Sequence, residues 1–364
     1  MQSDVRITFG MIVLNGDPFI QYNLGSIYNW ASQIIVVEGA CRTSSSCATK
    51  DGHSIDNTLI EISKFKALND PRGIVELVTA KDEGFEDGFW PEKTEMCQAF
   101  AKRATGNYLW QVDSDEFYHE QDMPKIIEML RAGIGRIAFD QLSFWGGFDY
   151  INDGLFLAEF GRNGIPRVFS WGPGYQYISH RPATVIDDMG LDVCLRKSMS
   201  SREMRRRKIF MYHYCLVFPR QVRNKTQYYN TPSQEKIRQH GGINRSIKSW
   251  ENESFRQISR PFHLHNVQHS LSWIKPFKGN HPHQIQRLIE DIKNNRLHEE
   301  LRRIDDIELL MSTFSYVTAT KVLNLLVSFV THPLFYFGFR MIRSAVYKIR
   351  AVKKLALKGS RPTI

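Results

Sequence analysis

The stretch NYLWQVDSDEFY, residues 107–118, decides how the rest of the chain is read. Tyr108, Leu109, Trp110 and Val112 are bulky residues that suit a buried strand. Asp113, Ser114, Asp115 and Glu116 then follow without a break. Three carboxylates this close repel one another, and burying them unpaired is costly. A divalent cation removes that cost. It also accounts for acids at a strand end, where open α/β sheets place their ligands. On these residues alone, a solvated acidic turn is the alternative.

Working outward, VRITFGMIVL (5–14) reads as a first strand and PFIQYNLGSIYNWA (18–31) as a helix, with Phe19, Ile20, Leu24, Ile27 and Tyr28 at helical spacing. QIIVVEGA (33–40) is a second buried strand ending in Glu38, followed by a Ser/Thr/Cys-rich loop. DNTLIEISKFKAL (56–68) is a helix with Asp56 or Thr58 near its cap, GIVELVTA (73–80) a third strand, and PEKTEMCQAFAKRAT (91–105) a third helix. The alternation predicts an α/β domain, a mainly parallel sheet with helices on both faces, with the acids ending strand four. MPKIIEMLRAG (123–133) is a further helix and RIAFDQLSFWGGF (136–148) a returning strand. From about 140 to 215, runs such as PRVFSW and KIFMYHYCLVF predict a mixed β second half that completes a cleft. Beyond 217 the chain is polar and helical, with histidines.

The formal charge of +10 is a property of the C-terminal tail. From Lys321 onward there are nine Lys or Arg and no Asp or Glu, leaving 39 basic against 38 acidic side chains elsewhere. That balance excludes a nucleic-acid-binding face as the source of the excess. The five cysteines lack CxxC spacing, so neither a disulfide framework nor a zinc knuckle is expected, and Cys41 and Cys47 are read as reduced. MQSDVRITFGMIVL lacks a basic segment followed by a long apolar run, so the expectation is a catalytic part on the cytosolic side.

Glu38, the segment DGHSIDNT (51–58) and the acid cluster converge on one edge of the predicted sheet. An acid after strand two can accept hydrogen bonds from a base or ribose, and Asp-x-Asp supplies hard oxygen ligands for Mg²⁺ or Mn²⁺. In order, ITFGMIVLNGDPFI, IIVVEGA, DGHSIDNT and WQVDSDEFY resemble the motifs of family-two-like glycosyltransferases with a GT-A fold, over about residues 5–150. The family's acid-then-DGS junction is split here by about twelve residues, 40–51.

The resemblance implies a GT-A type (Rossmann-like) sheet in a nucleotide-sugar and acceptor domain over 1–216. It implies a metal-dependent, inverting transfer from a nucleotide-diphosphate sugar to a hydroxyl, on a glycan or lipid-linked glycan of the cell envelope. Asp113 and Asp115 become the metal and diphosphate pair, with Asp115 the direct ligand and Glu116 assisting. Glu38 contacts the nucleotide, and Leu14 and Asn15 frame the base. MYHYCLVFPRQVRNKTQYY (211–229) resembles the late segment in which a histidine returns to the metal, here His213. Arg167 is a candidate for the diphosphate, and Lys225 is read as a solvated lysine. Asp187, Asp188 and Glu159 are the acids available as general base. Trp145 is a candidate for stacking on a sugar, and the histidines from 263 to 283 are read as surface or acceptor-loop residues.

Residues 217–315 are expected to form a helical accessory region and 316–364 a membrane-associated tail. Val322 to Ile342 is apolar but interrupted by Pro333, and seven basic residues follow from Arg340 to Lys358. That pattern fits a peripheral anchor on an anionic cytoplasmic leaflet, the alternative being a helix packed on the domain. Two rival functions remain on sequence grounds: a phosphohydrolase with Asp113 as nucleophile, and a noncatalytic membrane-peripheral scaffold.

Overall fold

A computed structural model describes residues 4–154, 164–180, 183–229, 258–264 and 271–330. Its strands are β1 (Ile7–Val13), β2 (Gln33–Glu38), β3 (Val75–Val78), β4 (Tyr108–Gln111), β5 (Glu116–Phe117), β6 (Arg136–Phe139) and β7 (Gln141–Trp145) in the first half. They continue as β8 (Tyr150–Gly154), β9 (Ile165–Ser170), β10 (Gln176–His180), β11 (Ala183–Ile186), β12 (Ser198–Met199), β13 (Met211–Leu216) and β14 (Ser272–Pro276). The helices used below are α1 (Phe19–Ile27), α2 (Thr58–Asn69), α3 (Lys93–Ala101), α4 (Met123–Arg131), α5 (Ser201–Arg206), α6 (Pro219–Tyr229), α7 (His283–Lys293), α8 (Asp305–Ser312) and α9 (Phe314–Val330). Contacts divide the chain into two units, Met1–Glu308 and Leu309–Ile364.

The first unit is built on a seven-stranded sheet of order β12-β6-β9-β4-β1-β2-β3. β1, β2, β3 and β4 run parallel, as the alternation predicts. β1 and β2 are buried along almost their whole length because helices cover both faces. Phe9, Trp110 and Phe139 stack beneath one face, with centroids 5.1 and 5.7 Å apart. β9 is the exception to the parallel rule. It enters between β4 and β6 and runs antiparallel to both.

Two expected strands prove to be pairs. RIAFDQLSFWGGF breaks at Asp140 into β6, in the large sheet, and β7, in a second sheet of order β14-β8-β7-β13-β5. The strand carrying the acids also breaks: β4 stops at Gln111, the acids form a turn, and β5 pairs with β13 in the second sheet. The acid turn is therefore the crossing point between two sheets.

Part of the segment expected as an accessory region belongs to this same unit. β14 pairs with β8 in the second sheet, and Ile285 and Leu288 of α7 join Phe19, Phe144, Tyr214 and Phe218 in its core. In the second unit, α9 exposes Phe314, Leu325, Leu326 and Phe329. Among the described residues no single helix is long and apolar enough to cross a membrane.

Candidate active site

The acid turn is fixed from beneath by one buried amide. Asn23, on α1, donates from Nδ2 to the Asp113 carbonyl at 3.2 Å and to the Glu116 carbonyl at 2.6 Å. The Glu116 N–H closes the turn on the Asp113 carbonyl at 3.0 Å, and the Tyr214 N–H of β13 donates to the Asp115 carbonyl at 2.9 Å. Backbone and amide thus hold the turn, with the Glu116 carboxylate adding one bond by accepting from the Asp113 N–H at 3.2 Å.

The protein supplies its own counter-charges. Arg167, from β9, donates from Nε to Glu116 at 2.8 Å and from a terminal nitrogen to Asp113 at 3.0 Å. Its second contact with Glu116 makes that pair bidentate. Glu116 is 1% exposed and Arg167 8%, so the pair forms the floor of the site. Burial raises the Glu116 carboxyl despite the guanidinium beside it, while Glu116 and Asp113 hold Arg167 charged against the cost of burial. A cation is therefore not required to offset all three acids, because Arg167 and Lys225 already balance two.

Asp115 stands apart, turned to β13 and α6. Lys225 Nζ lies 2.7 Å from its Oδ2, Gln221 Nε2 3.2 Å from the same oxygen, and His213 Nε2 3.5 Å from Oδ1. Burial alone would raise Asp115, but Lys225 and His213 hold it well below the usual carboxylate range. Lys225 is thus no solvated lysine. Gln221 and Lys225 lie four residues apart on α6, so both present to one face. That spacing was visible in the sequence, although its partner was not.

Among the described residues no group of three or more His, Cys, Asp and Glu side chains converges as a ready metal cage. Asp115 and His213 are two ligands, a hard oxygen and an imidazole, arriving from separate elements at one point. Two protein ligands suit Mg²⁺ or Mn²⁺, which keep waters and fill their shell from substrate phosphates. The donor set therefore fits such a cation only as part of a complex with a phosphate ligand.

The rim is made by the loops after β1 and β2. Asn15 adopts a left-handed backbone (φ 55°) and ties these loops together. Its N–H donates to Ser54 Oγ at 2.9 Å, its Nδ2 to the Cys47 carbonyl at 2.9 Å, and its Oδ1 accepts from the Ile55 N–H at 2.8 Å. The twelve-residue insertion closes at its base, where the Ala40 N–H donates to the Gly52 carbonyl at 2.8 Å. Gly52 and Gly88 approach so closely there that a Cβ on Gly52 would stand 2.0 Å from the Gly88 carbonyl oxygen. DGHSIDNT consequently resumes beside Glu38 as though the insertion were absent. The cysteines it carries, Cys41 and Cys47, are free thiols, as expected.

Glu38 requires a correction. A direct nucleotide contact was expected, yet its side chain is 0% exposed and both oxygens are engaged. Oε1 accepts from the Ser54 N–H at 2.7 Å and Oε2 faces His53 Nδ1 at 2.7 Å. Glu38 shapes the loop, and His53 is the group it presents outward. Leu14 is half-buried beside Asn15 at the same rim.

Other expected site residues lie elsewhere. Asp187 accepts from the N–H groups of Met189 and Leu191 and pairs with Arg196 at 2.7 Å, which makes it a turn cap after β11 and not a base facing the acids. Asp188 is exposed in that same turn, and Glu159 lies outside the described residues. Trp145 is wholly buried against the Arg302 guanidinium, 5.1 Å from its ring centre, and so offers no face to a sugar. His281 is no surface histidine: its Nδ1 lies 2.8 Å from Tyr214 Oη, among Phe144, Phe148 and Phe277.

No family model matches the chain, and no curated protein does. Solved structures that match include TarS residues 1–349 of S. aureus in complex with UDP-GlcNAc, at 12% identity over 38% of this chain and 35% of that one, with a TM-score of 0.29. TarS 1–349 in a further structure aligns at 10% identity over 69% of this chain and 72% of that one, TM-score 0.35. Glucosyl-3-phosphoglycerate synthase from Mycobacterium tuberculosis, in complex with Mn²⁺, UDP and glucosyl-3-phosphoglycerate, aligns at 19% identity over 39% of this chain and 44% of that one, TM-score 0.27. The first two matches named by their ligands thus span less than half of those chains' length.

Proposed function

We propose that the chain is a metal-dependent glycosyltransferase of GT-A type that moves a sugar from a nucleotide-diphosphate sugar to a hydroxyl. The observation that carries this reading is the meeting of Asp115 and His213, from an Asp-x-Asp turn and a separate strand, beside the buried Arg167 and the half-buried Lys225 at the carboxyl edge of a parallel sheet. Asp115 and His213 hold Mg²⁺ or Mn²⁺, with Asp113 and Arg167 orienting the diphosphate and Leu14, Asn15 and His53 framing the nucleoside. When bound, the cation offsets the charge that develops on the leaving diphosphate.

Transfer with inversion is a single displacement. A base takes the acceptor's hydroxyl proton, the oxygen attacks the anomeric carbon, and the bond to the diphosphate breaks. Asp187 is occupied by its turn and Asp188 lies exposed in that same turn, which leaves Glu159, outside the described residues, as the acid for that role. A membrane-side acceptor, a glycan or lipid-linked glycan met at an anionic cytoplasmic surface, is supported by the exposed Phe314, Leu325, Leu326 and Phe329 of α9 and the basic run that follows it.

The test is a donor screen with UDP- and GDP-sugars and Mn²⁺, following release of the nucleoside diphosphate. Asp115→Asn should abolish release while circular dichroism stays native. Release unchanged within a few-fold in that variant sinks the assignment.

A further inference from the structure

The most informative pair in the site is Lys225 with Asp115. Resting on the proposed role of Asp115, a cation and Lys225 require the same carboxylate. Lys225 Nζ is 2.7 Å from Oδ2, and Gln221 braces that oxygen from the same helix. The lysine reaches in from outside: its side chain is 28% exposed, whereas Asp115 is 11% exposed. Its four-carbon stem allows the ammonium to swing without any shift of α6. The helix itself is fixed at other points, through Gln227 Nε2 on the Ser46 carbonyl at 2.9 Å and Tyr228 against Lys93, 4.6 Å from its ring centre.

We infer that Lys225 is an exchangeable counter-ion that couples cation binding to diphosphate binding. Lys225 opposes a cation that arrives alone, because it holds one of the two Asp115 oxygens and repels a second positive charge. A nucleoside diphosphate brings negative oxygens to the same place and draws the ammonium off the carboxylate. Asp115 is then released to the cation, and the lysine remains as a phosphate ligand. The two ligands therefore bind with positive coupling, and by linkage each strengthens the other equally. The coupling keeps the site from holding a cation without a donor.

The experiment measures Mn²⁺ binding by the loss of the free-ion electron paramagnetic resonance signal, with and without UDP or GDP, correcting for chelation by the nucleotide alone. Wild type, Lys225→Met, Lys225→Arg and Asp115→Asn are compared, with circular dichroism as the folding control. Lys225→Met should bind Mn²⁺ alone about tenfold more tightly than wild type, and the enhancement by nucleotide should shrink by a similar factor, within the roughly 5–150-fold range of coupling between two sites. Lys225→Arg keeps the competing charge and should bind Mn²⁺ alone as wild type does. If Lys225→Met binds Mn²⁺ alone no more tightly while the nucleotide enhancement persists, the coupling is overturned and the transferase reading stands. If wild type binds Mn²⁺ under none of these conditions, the metal site fails, and the coupling with it.

Discussion

At the scale of single residues, the site is a charge-balancing problem, and Arg167 is its main solution. Arg167 is buried against Glu116 and Asp113, so its removal leaves carboxylates with no counter-charge in a water-poor floor. Breaking a buried pair from one side typically costs about 3–5 kcal/mol, much more than the pair itself contributes. Arg167→Met should therefore lower the unfolding free energy measured by urea titration by an amount in that range. The double variant with Glu116→Gln should recover a large part of it, and a double variant no more stable than Arg167→Met would remove Glu116 as the cause. Glu38 behaves differently. Glu38→Ala removes the acceptor for Ser54 and His53, so the donor's KM should rise and Tm should fall together. A rise in KM with Tm unchanged would restore the direct nucleotide contact first expected of it.

At the scale of elements, the four parallel strands were legible because each is an apolar run flanked by helical periodicity. Arg167 stands out in the sequence as a charged residue between apolar neighbours, but nothing there pairs it with Glu116 and Asp113. The two-sheet arrangement was not. Asp140 looks like an ordinary polar position within one strand, and only the packing of β7 on β13 turns it into a break. Lys225 was missed because a lysine on a helix reads as solvated until the facing carboxylate is known. His281 was missed for the opposite reason, because its neighbours in sequence are polar while those in space are aromatic.

That aromatic setting makes a pH prediction. Burial pushes His281 down from its ordinary 6.5 to about 4. The unfolded chain takes up the proton near the higher value and the folded protein only near the lower. Stability is thus full above about pH 6.5 and is lost as pH falls towards about 4. His281→Phe removes this proton uptake. At neutral pH it should be the less stable protein by about 1–3 kcal/mol, since Tyr214 Oη loses its partner. The gap should narrow as the buffer is taken down through the same window, and a gap that widens instead would place the acid sensitivity elsewhere.

At the scale of the whole molecule, both sheets and the acid turn lie within Met1–Glu308. A chain ending at Glu308 should therefore melt cooperatively and bind Mn²⁺ with a nucleoside diphosphate as the full chain does. The full chain should sediment with anionic vesicles and be partly released by salt, because each Lys or Arg near such a surface contributes about 1 kcal/mol and is screened by ions. Equal sedimentation of the two proteins would move membrane attachment out of the tail. A truncated chain that fails to fold would make Leu309–Ile364 part of the fold's core.

The antiparallel β9 also sets an order of arrival during synthesis. β1 to β4 can assemble as they leave the ribosome, since each pairs with a strand already made or soon to follow. The outer edge of β4 cannot close until Ile165–Ser170 emerges and slots between β4 and β6. The same late segment delivers Arg167 to acids translated some fifty residues before it. Until then a nascent chain carries an open strand edge and uncompensated carboxylates side by side, and repulsion among those acids discourages the edge from pairing with the wrong strand. The arginine that anchors the floor of the site thus arrives on the strand that completes the sheet.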